Sequence, residues 1–237
     1  GIAGLFVLGL GIGTGWVEPG RWLADYTTPV GEIRTVHLAD GSMAVMDSHT
    51  ALSVRYTASE RRIVLIGGEA YFTVAPVTVD ERRPFVVESA GGTSTALGTE
   101  FMVAREGTGV DTTVTEHSVR VATRDVGTLH RSVIVEEGQS VHYGRDGTLG
   151  TPVSVPAASM TAWRNGQLVF DNATLSDVIG RLNHYRGGRI MLMSSGLGAR
   201  RVSGVFSCTD TDGAVMAITR QLALRSVSVG GLATVIY

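Results

Sequence analysis

From Val30 to about Tyr143 the chain is a succession of short β-type runs with turn residues between them. Val30 to Leu38 is followed by Asp40-Gly41, and Arg62 to Ile66 by Gly67-Gly68. Further runs are Ala51 to Tyr56, Ala70 to Val74, Phe85 to Glu88, Phe101 to Ala104, Val110 to Thr115, Val119 to Thr123, Val133 to Val135 and Ser140 to Tyr143. Apolar and polar residues alternate in Leu52-Ser53-Val54-Arg55-Tyr56 and in Val110-Asp111-Thr112-Thr113-Val114, as half-buried strands require. A spacing of roughly 8–12 residues between turn signals predicts an all-β sandwich, roll or solenoid.

The pattern changes after residue 143. Residues 144–160 are rich in Gly, Pro, Ser and Ala and read as a linker. Trp163 to Phe170 reads as a strand, and Thr174 then caps a helix, with Asp177 placed for a capping box. Leu175, Val178, Ile179 and Leu182 form one apolar stripe on that helix, which Gly187-Gly188 stops. Strands at Arg189 to Met193 and Val202 to Phe206 lead to a second helix from about Thr211 to Leu222, with Val215, Ile218 and Leu222 inward. Arg225 to Val229 and Leu232 to Tyr237 close a hairpin around a two-residue turn at Gly230-Gly231. The expected fold class is therefore mainly β with a smaller α+β domain of order β-α-β-β-α-β-β over residues 161–237.

Composition adds an anchor and removes several functions. Gly1 to Trp16 carries no charge and is followed by Glu18, Arg21 and Trp22. It reads as the outer part of a transmembrane helix with Trp16 and Trp22 in the interfacial belt, and residues 17–27 as a juxtamembrane linker. The formal net charge of −2 gives no general drive toward nucleic acid, and all 20 basic residues are arginine. Cys208, the single cysteine, can form neither an internal disulfide nor a thiolate metal site by itself, and its apolar run makes it a core residue. His37, His49, His117, His130, His142 and His184 show no short metal-ligand spacing, so no metal and no cofactor is expected. Arg61-Arg62, Arg82-Arg83 and Arg200-Arg201 read as solvated edge or turn pairs.

Several short motifs occur in a fixed order. Thr28-Pro29-Val30-Gly31-Glu32 precedes Leu38-Ala39-Asp40-Gly41-Ser42. Then come Gly67-Gly68-Glu69-Ala70-Tyr71-Phe72, Pro84-Phe85-Val86-Val87 and Ala96-Leu97-Gly98-Thr99-Glu100-Phe101. This succession resembles the FecR family of sigma-factor regulators, with residues 28–143 as the all-β FecR domain. Two departures are Glu116-His117-Ser118, where the family has a glycine, and Ala173-Thr174 in place of a proline. His tolerates the positive φ that such a turn demands better than most residues. The region from about Trp163 resembles the short N-terminal (STN) domain of secretins and TonB-dependent receptors.

The resemblance implies a single-pass inner-membrane protein whose residues after about 17 lie in the periplasm. Its periplasmic part would receive a signal from the signalling domain of an outer-membrane TonB-dependent transducer, often for an iron chelate. A cytoplasmic segment, absent from this chain, would bind an extracytoplasmic-function sigma factor. The resemblance also singles out Gly98 and Thr99, since some family members cleave themselves at this bond by an N–O acyl shift. Two other readings of the residues stay open: a metal-dependent, cupin-like β-roll enzyme, and a structural component of a secretion or receptor assembly.

Overall fold

The computed structural model describes residues 21–96, 98–123 and 131–237. The predicted membrane segment 1–16 and His130 lie outside the described residues. Among the described residues no helix is long and apolar enough to cross a membrane. The segment 21–27, expected to be a linker, holds a 3-10 turn at Arg21–Leu23 and the strand β1 (Tyr26–Thr27).

The strand-rich half is one 13-stranded sheet that curls around a single core. Its axis is β5 (Arg61–Thr73), 13 residues long. The first half of β5 pairs with β4 (Ala51–Tyr56) and, in parallel, with β6 (Phe85–Ser89). Its second half pairs with β3 (Met43–Met46) and β8 (Glu100–Glu106). One arm continues from β6 through β7 (Gly92–Ala96) and β10 (Ser118–Thr123) to β11 (Arg131–Glu136). The other continues from β8 through β9 (Gly109–Glu116) and β12 (Gln139–Gly144) to β13 (Val153–Ser154), while β2 (Arg34–His37) borders β3. Phe72, Phe85 and Phe101 meet between the arms, with ring centroids 5.7 and 5.4 Å apart.

A bulge in the middle of β5 decides where function is placed. Ile63 and Leu65 point into the core, and past the bulge so do Ala70, Phe72 and Val74, so the inward phase switches from odd to even positions. The pairing register with β4 slips at the same place, between Ala51 and Leu52. An extra residue in a strand reverses every side chain after it. Glu69 and Tyr71 are thereby turned off the first core and onto the second domain. Gly68 makes the bend possible: its φ is +84°, and a Cβ there would lie 2.4 Å from Thr50 Oγ1 and 2.6 Å from Thr50 Cα. Gly68→Ala is expected to cost about 3 kcal/mol from left-handed strain plus overpacking, read as a lower urea midpoint.

Residues 144–160 are more ordered than a linker. Leu149 bridges back to Tyr143, β13 pairs with β12, and Ala157–Met160 forms a short helix, α1. Trp163 is not in a strand: it sits in a 3-10 turn, Ala162–Asn165, ended by Gly166 at φ 74°. The strand begins later, as β14 (Gln167–Thr174). Helix α2 (Leu175–Asn183) buries the predicted four-residue stripe, and Thr174 Oγ1 accepts from the Asp177 N–H at 3.2 Å. Next come β15 (Arg189–Leu192), a one-turn helix α3 (Ser195–Gly198) absent from the sequence reading, and β16 (Arg201–Ser207). Helix α4 (Thr211–Gln221) is capped by Asp210 and buries Val215 and Ile218. β17 (Ser226–Val229) and β18 (Ala233–Ile236) follow, and Val229 pairs with Ala233, so three residues turn the hairpin and not two. β14 and β16 form one antiparallel sheet, and β15-β18-β17 a second with β15 parallel to β18.

Candidate functional site

The sequence-predicted pair lies at the start of β8. Gly98 has a φ of +109°, and a Cβ on it would sit 3.1 Å from Pro76 Cα. Thr99 is buried, and its carbonyl accepts from the Val74 N–H at 3.0 Å. The Thr99 hydroxyl is buried without a hydrogen-bond partner. The arrangement supplies a hydroxyl of unsatisfied bonding capacity beside a peptide in a conformation that glycine tolerates. Among the described residues no side chain accepts from it, and the Glu100 carboxylate is occupied by the Tyr71 hydroxyl at 2.6 Å and the Thr73 hydroxyl at 3.2 Å.

A buried polar cluster lies one residue away. Arg61, expected in solvent, is fully buried because it stands at an inward position of β5. Its Nη1 donates to Asp40 Oδ2 at 2.8 Å and to the Ala75 carbonyl at 3.1 Å, and its Nε to the Arg83 carbonyl at 2.9 Å. Asp40 also accepts from the Ser42 hydroxyl at 2.6 Å and the Tyr56 hydroxyl at 2.7 Å. The Asp40-Gly41-Ser42 turn is thus the carboxylate seat for Arg61. Burial alone would raise the Asp40 pKa; hydrogen bonds from Ser42, Tyr56 and Arg61 outweigh it and leave it below the ordinary carboxylate value.

The larger constellation is the seam between the two halves. Tyr71 and Met102 of the sheet join Trp163, Leu175, Val178, Ile179, Leu182 and Val202 in one core, with Ile33 and Val45 packed against it. Arg164 lays its guanidinium 3.5 Å from the centroid of the Tyr71 ring. Charges follow the apolar contact. Arg181 of α2 donates to Glu69 Oε2 at 2.8 Å and Oε1 at 3.2 Å, and to Asp47 Oδ2 at 3.1 Å. The Tyr185 hydroxyl donates to the same Asp47 oxygen at 2.8 Å, and His184 Nε2 stands 3.5 Å from it. The Ser48 hydroxyl donates to the His184 carbonyl at 2.6 Å. Burial is the main influence raising the Glu69 pKa; Arg181 opposes it and the Asp47 charge adds to it. Burial likewise raises the Tyr185 phenol.

Of the seam, the sequence showed the apolar stripe of α2 but not the charged pairing of Asp47, Glu69 and Arg181. In the sequence Glu69 is one letter of the Gly-Gly-Glu-Ala motif, and its outward direction depends on the bulge. Arg181 could have been found: it lies three residues after Val178 and four before Tyr185, on the flank of the α2 stripe. Of the histidines, His117 adopts φ 62° between β9 and β10, as the missing glycine there suggested. Among the described residues no three His, Cys, Asp or Glu side chains are grouped as metal ligands.

Residues 24–120 match the family described as FecR protein. The strand-rich half is a FecR domain. The match lies within the strand-rich half and ends before the α+β domain. Two crystal structures of a candidate anti-sigma factor from Parabacteroides distasonis, at 2.50 and 1.65 Å resolution, are similar in fold. Each is 22% identical and covers 90% of this chain and 97% of its own, with TM-scores of 0.71 and 0.72. The likeness therefore includes the α+β domain as well as the FecR domain. No curated protein matches the chain.

Proposed function

We propose that this chain is the periplasmic, receiving part of a single-pass anti-sigma regulator in the inner membrane. It relays a signal from the signalling domain of an outer-membrane TonB-dependent transducer, for iron-chelate uptake, to an extracytoplasmic-function sigma factor. The observation that carries the reading is a FecR domain with a second, α+β domain seated on it, an arrangement shared with structures of a candidate anti-sigma factor. Such a protein works by contact and not by turnover.

The α+β domain, in this reading an STN-like module, supplies a docking edge. β17 is the last strand of its sheet, and Val227 and Val229 on it are exposed, as is Leu232 beside it. An incoming strand can extend such an edge through main-chain hydrogen bonds. In cells expressing the regulator without residues 161–237, sigma-dependent transcription is expected to stop responding to the transducer's chelate. An unchanged response contradicts the reading.

Self-cleavage at Gly98-Thr99 is the second part of the proposal. The Thr99 oxygen adds to the Gly98 carbonyl carbon, the C–N bond breaks as its nitrogen gains the hydroxyl proton, and an ester forms. Water then hydrolyses that ester, giving a Gly98 carboxylate and a new Thr99 N-terminus. The unpartnered, buried Thr99 hydroxyl and the positive φ of Gly98 support it. On a denaturing gel, purified protein is expected to yield two fragments, and Thr99→Ala only one. A single intact wild-type band after prolonged incubation contradicts cleavage.

A further inference from the structure

The geometry points to a proton-dependent latch between the two domains: one proton held among Asp47, Glu69, Arg181 and His184 keeps α2 seated on the FecR domain, and its loss loosens the seat. The charges at the seam do not balance. Two carboxylates, Asp47 and Glu69, face one guanidinium, and their side chains are 0% and 7% exposed against 22% for Arg181. With both carboxylates ionised and His184 neutral, the site holds an unbalanced negative charge largely out of water. Such a charge is costly to bury, and a single proton removes it.

Glu69 is the group in the cluster placed to take that proton: among the described residues its oxygens accept from Arg181 and from no other side chain. Around it the pocket is short of partners. His184 Nε2 is buried without a hydrogen-bond partner, 3.5 Å from Asp47 Oδ2, and Asp47 Oδ1 is also buried and without one.

Every packed element contributes to the field here. α2 and the turn after it bring Arg181, His184 and Tyr185; the turn after β3 brings Asp47 and His49; β5 brings Glu69. The N-terminal 3-10 turn brings Arg21, whose Nη1 donates to the His49 carbonyl at 2.8 Å. Cys208 follows β16, and burial pushes its thiol up to about 11. Burial, with Arg21 and His184 nearby, lowers the His49 pKa, which leaves its imidazole the poorer proton acceptor. The raised Tyr185 phenol and Cys208 thiol stay neutral. Glu69 is left as the group that exchanges the proton.

The sign follows from linkage. The seated state binds the proton more tightly than the open one, because the Glu69 carboxyl is raised only when buried. Docking is therefore strongest near the ordinary carboxylate range and weakens as pH rises through the raised value. Both partners lie on opposite domains, so the same protonation controls how the receiving module is held. The inference stands whether or not the partner is a TonB-dependent transducer.

The test uses the full chain at about pH 5.5 and about pH 8.5. Small-angle scattering is expected to show a larger radius of gyration for wild type at the higher pH. Cys208, buried in the shared core, reports opening through its maleimide labelling rate. Comparing wild type with Glu69→Gln at each pH cancels the thiolate fraction. The rates are expected to agree at the lower pH, with wild type about tenfold faster at the higher, a factor that corresponds to about 1.4 kcal/mol of docking. A wild-type radius that does not change, or a rate ratio equal at both pH values, overturns the latch. Should Glu69→Gln label fast at both, its fold is lost and the wild-type scattering alone decides.

Discussion

Arg61→Leu is expected to lower the unfolding free energy of the FecR domain by about 3–5 kcal/mol, the cost of leaving one member of a buried ion pair alone. Both side chains of the Arg61–Asp40 pair are 0% exposed. The substitution strands the Asp40 carboxylate and removes the donor for the Ala75 and Arg83 carbonyls. Leucine replaces some of the packing against the Phe85 ring, which the guanidinium carbon approaches to 5.7 Å from the centroid. Urea unfolding at neutral pH checks the figure. Adding Asp40→Leu to Arg61→Leu is expected to recover part of the loss, because no charge then remains unpaired. Acid reports the same pair. The folded-state pKa of Asp40 lies below its ordinary value, so its contribution is present above about pH 4 and fades as pH falls through the folded value. That acid-dependent loss is expected to shrink in Arg61→Leu.

Arg181→Leu is the second large effect, and it acts on the seam. It leaves Asp47 and Glu69 facing one another without a guanidinium, with the Tyr185 hydroxyl still donating to the Asp47 carboxylate. The expected cost to domain docking is again about 3–5 kcal/mol. Because the sheet keeps a core of its own apart from the seam, the loss should split unfolding into two transitions, with the α+β domain melting first. A single cooperative transition at the wild-type midpoint contradicts the assigned role of Arg181. Arg181→Lys should recover little, since an ammonium cannot donate to Glu69 and Asp47 through one planar fork.

Local patterns carried much of the architecture. Alternation and turn residues located most strands of the FecR domain, since each strand buries one face and so displays its period. The α2 stripe and its Thr174 cap, and the α4 stripe, are equally local. What escaped depends on tertiary context. Arg61 looks like half of a surface arginine pair, and only the phase of β5 places it inside. Glu69 and Tyr71 follow a bulge whose phase shift is invisible in residue types, although Gly67-Gly68 marks the place. Trp163 continues an apolar run, but Gly166 in a left-handed conformation ends a 3-10 turn there and delays the strand. The segment after Tyr143 has linker composition, yet its backbone returns to pair with β12. The seam residues come from positions 47, 69, 181 and 185, too far apart for any spacing rule. Gly98 and Thr99 stood out through family resemblance; the unsatisfied hydroxyl could come only from coordinates.

The proposed relay requires contact between residues 21–237 and a transducer's signalling domain. Isothermal titration of residues 21–237 against purified periplasmic signalling domains of the TonB-dependent transducers from the same cell tests it most directly. One of them is expected to bind saturably at one-to-one stoichiometry, with Val227→Asp on the β17 edge weakening the association at least about tenfold. Absence of binding by every member of that set, with the folded state of each protein verified, would contradict the proposed relay.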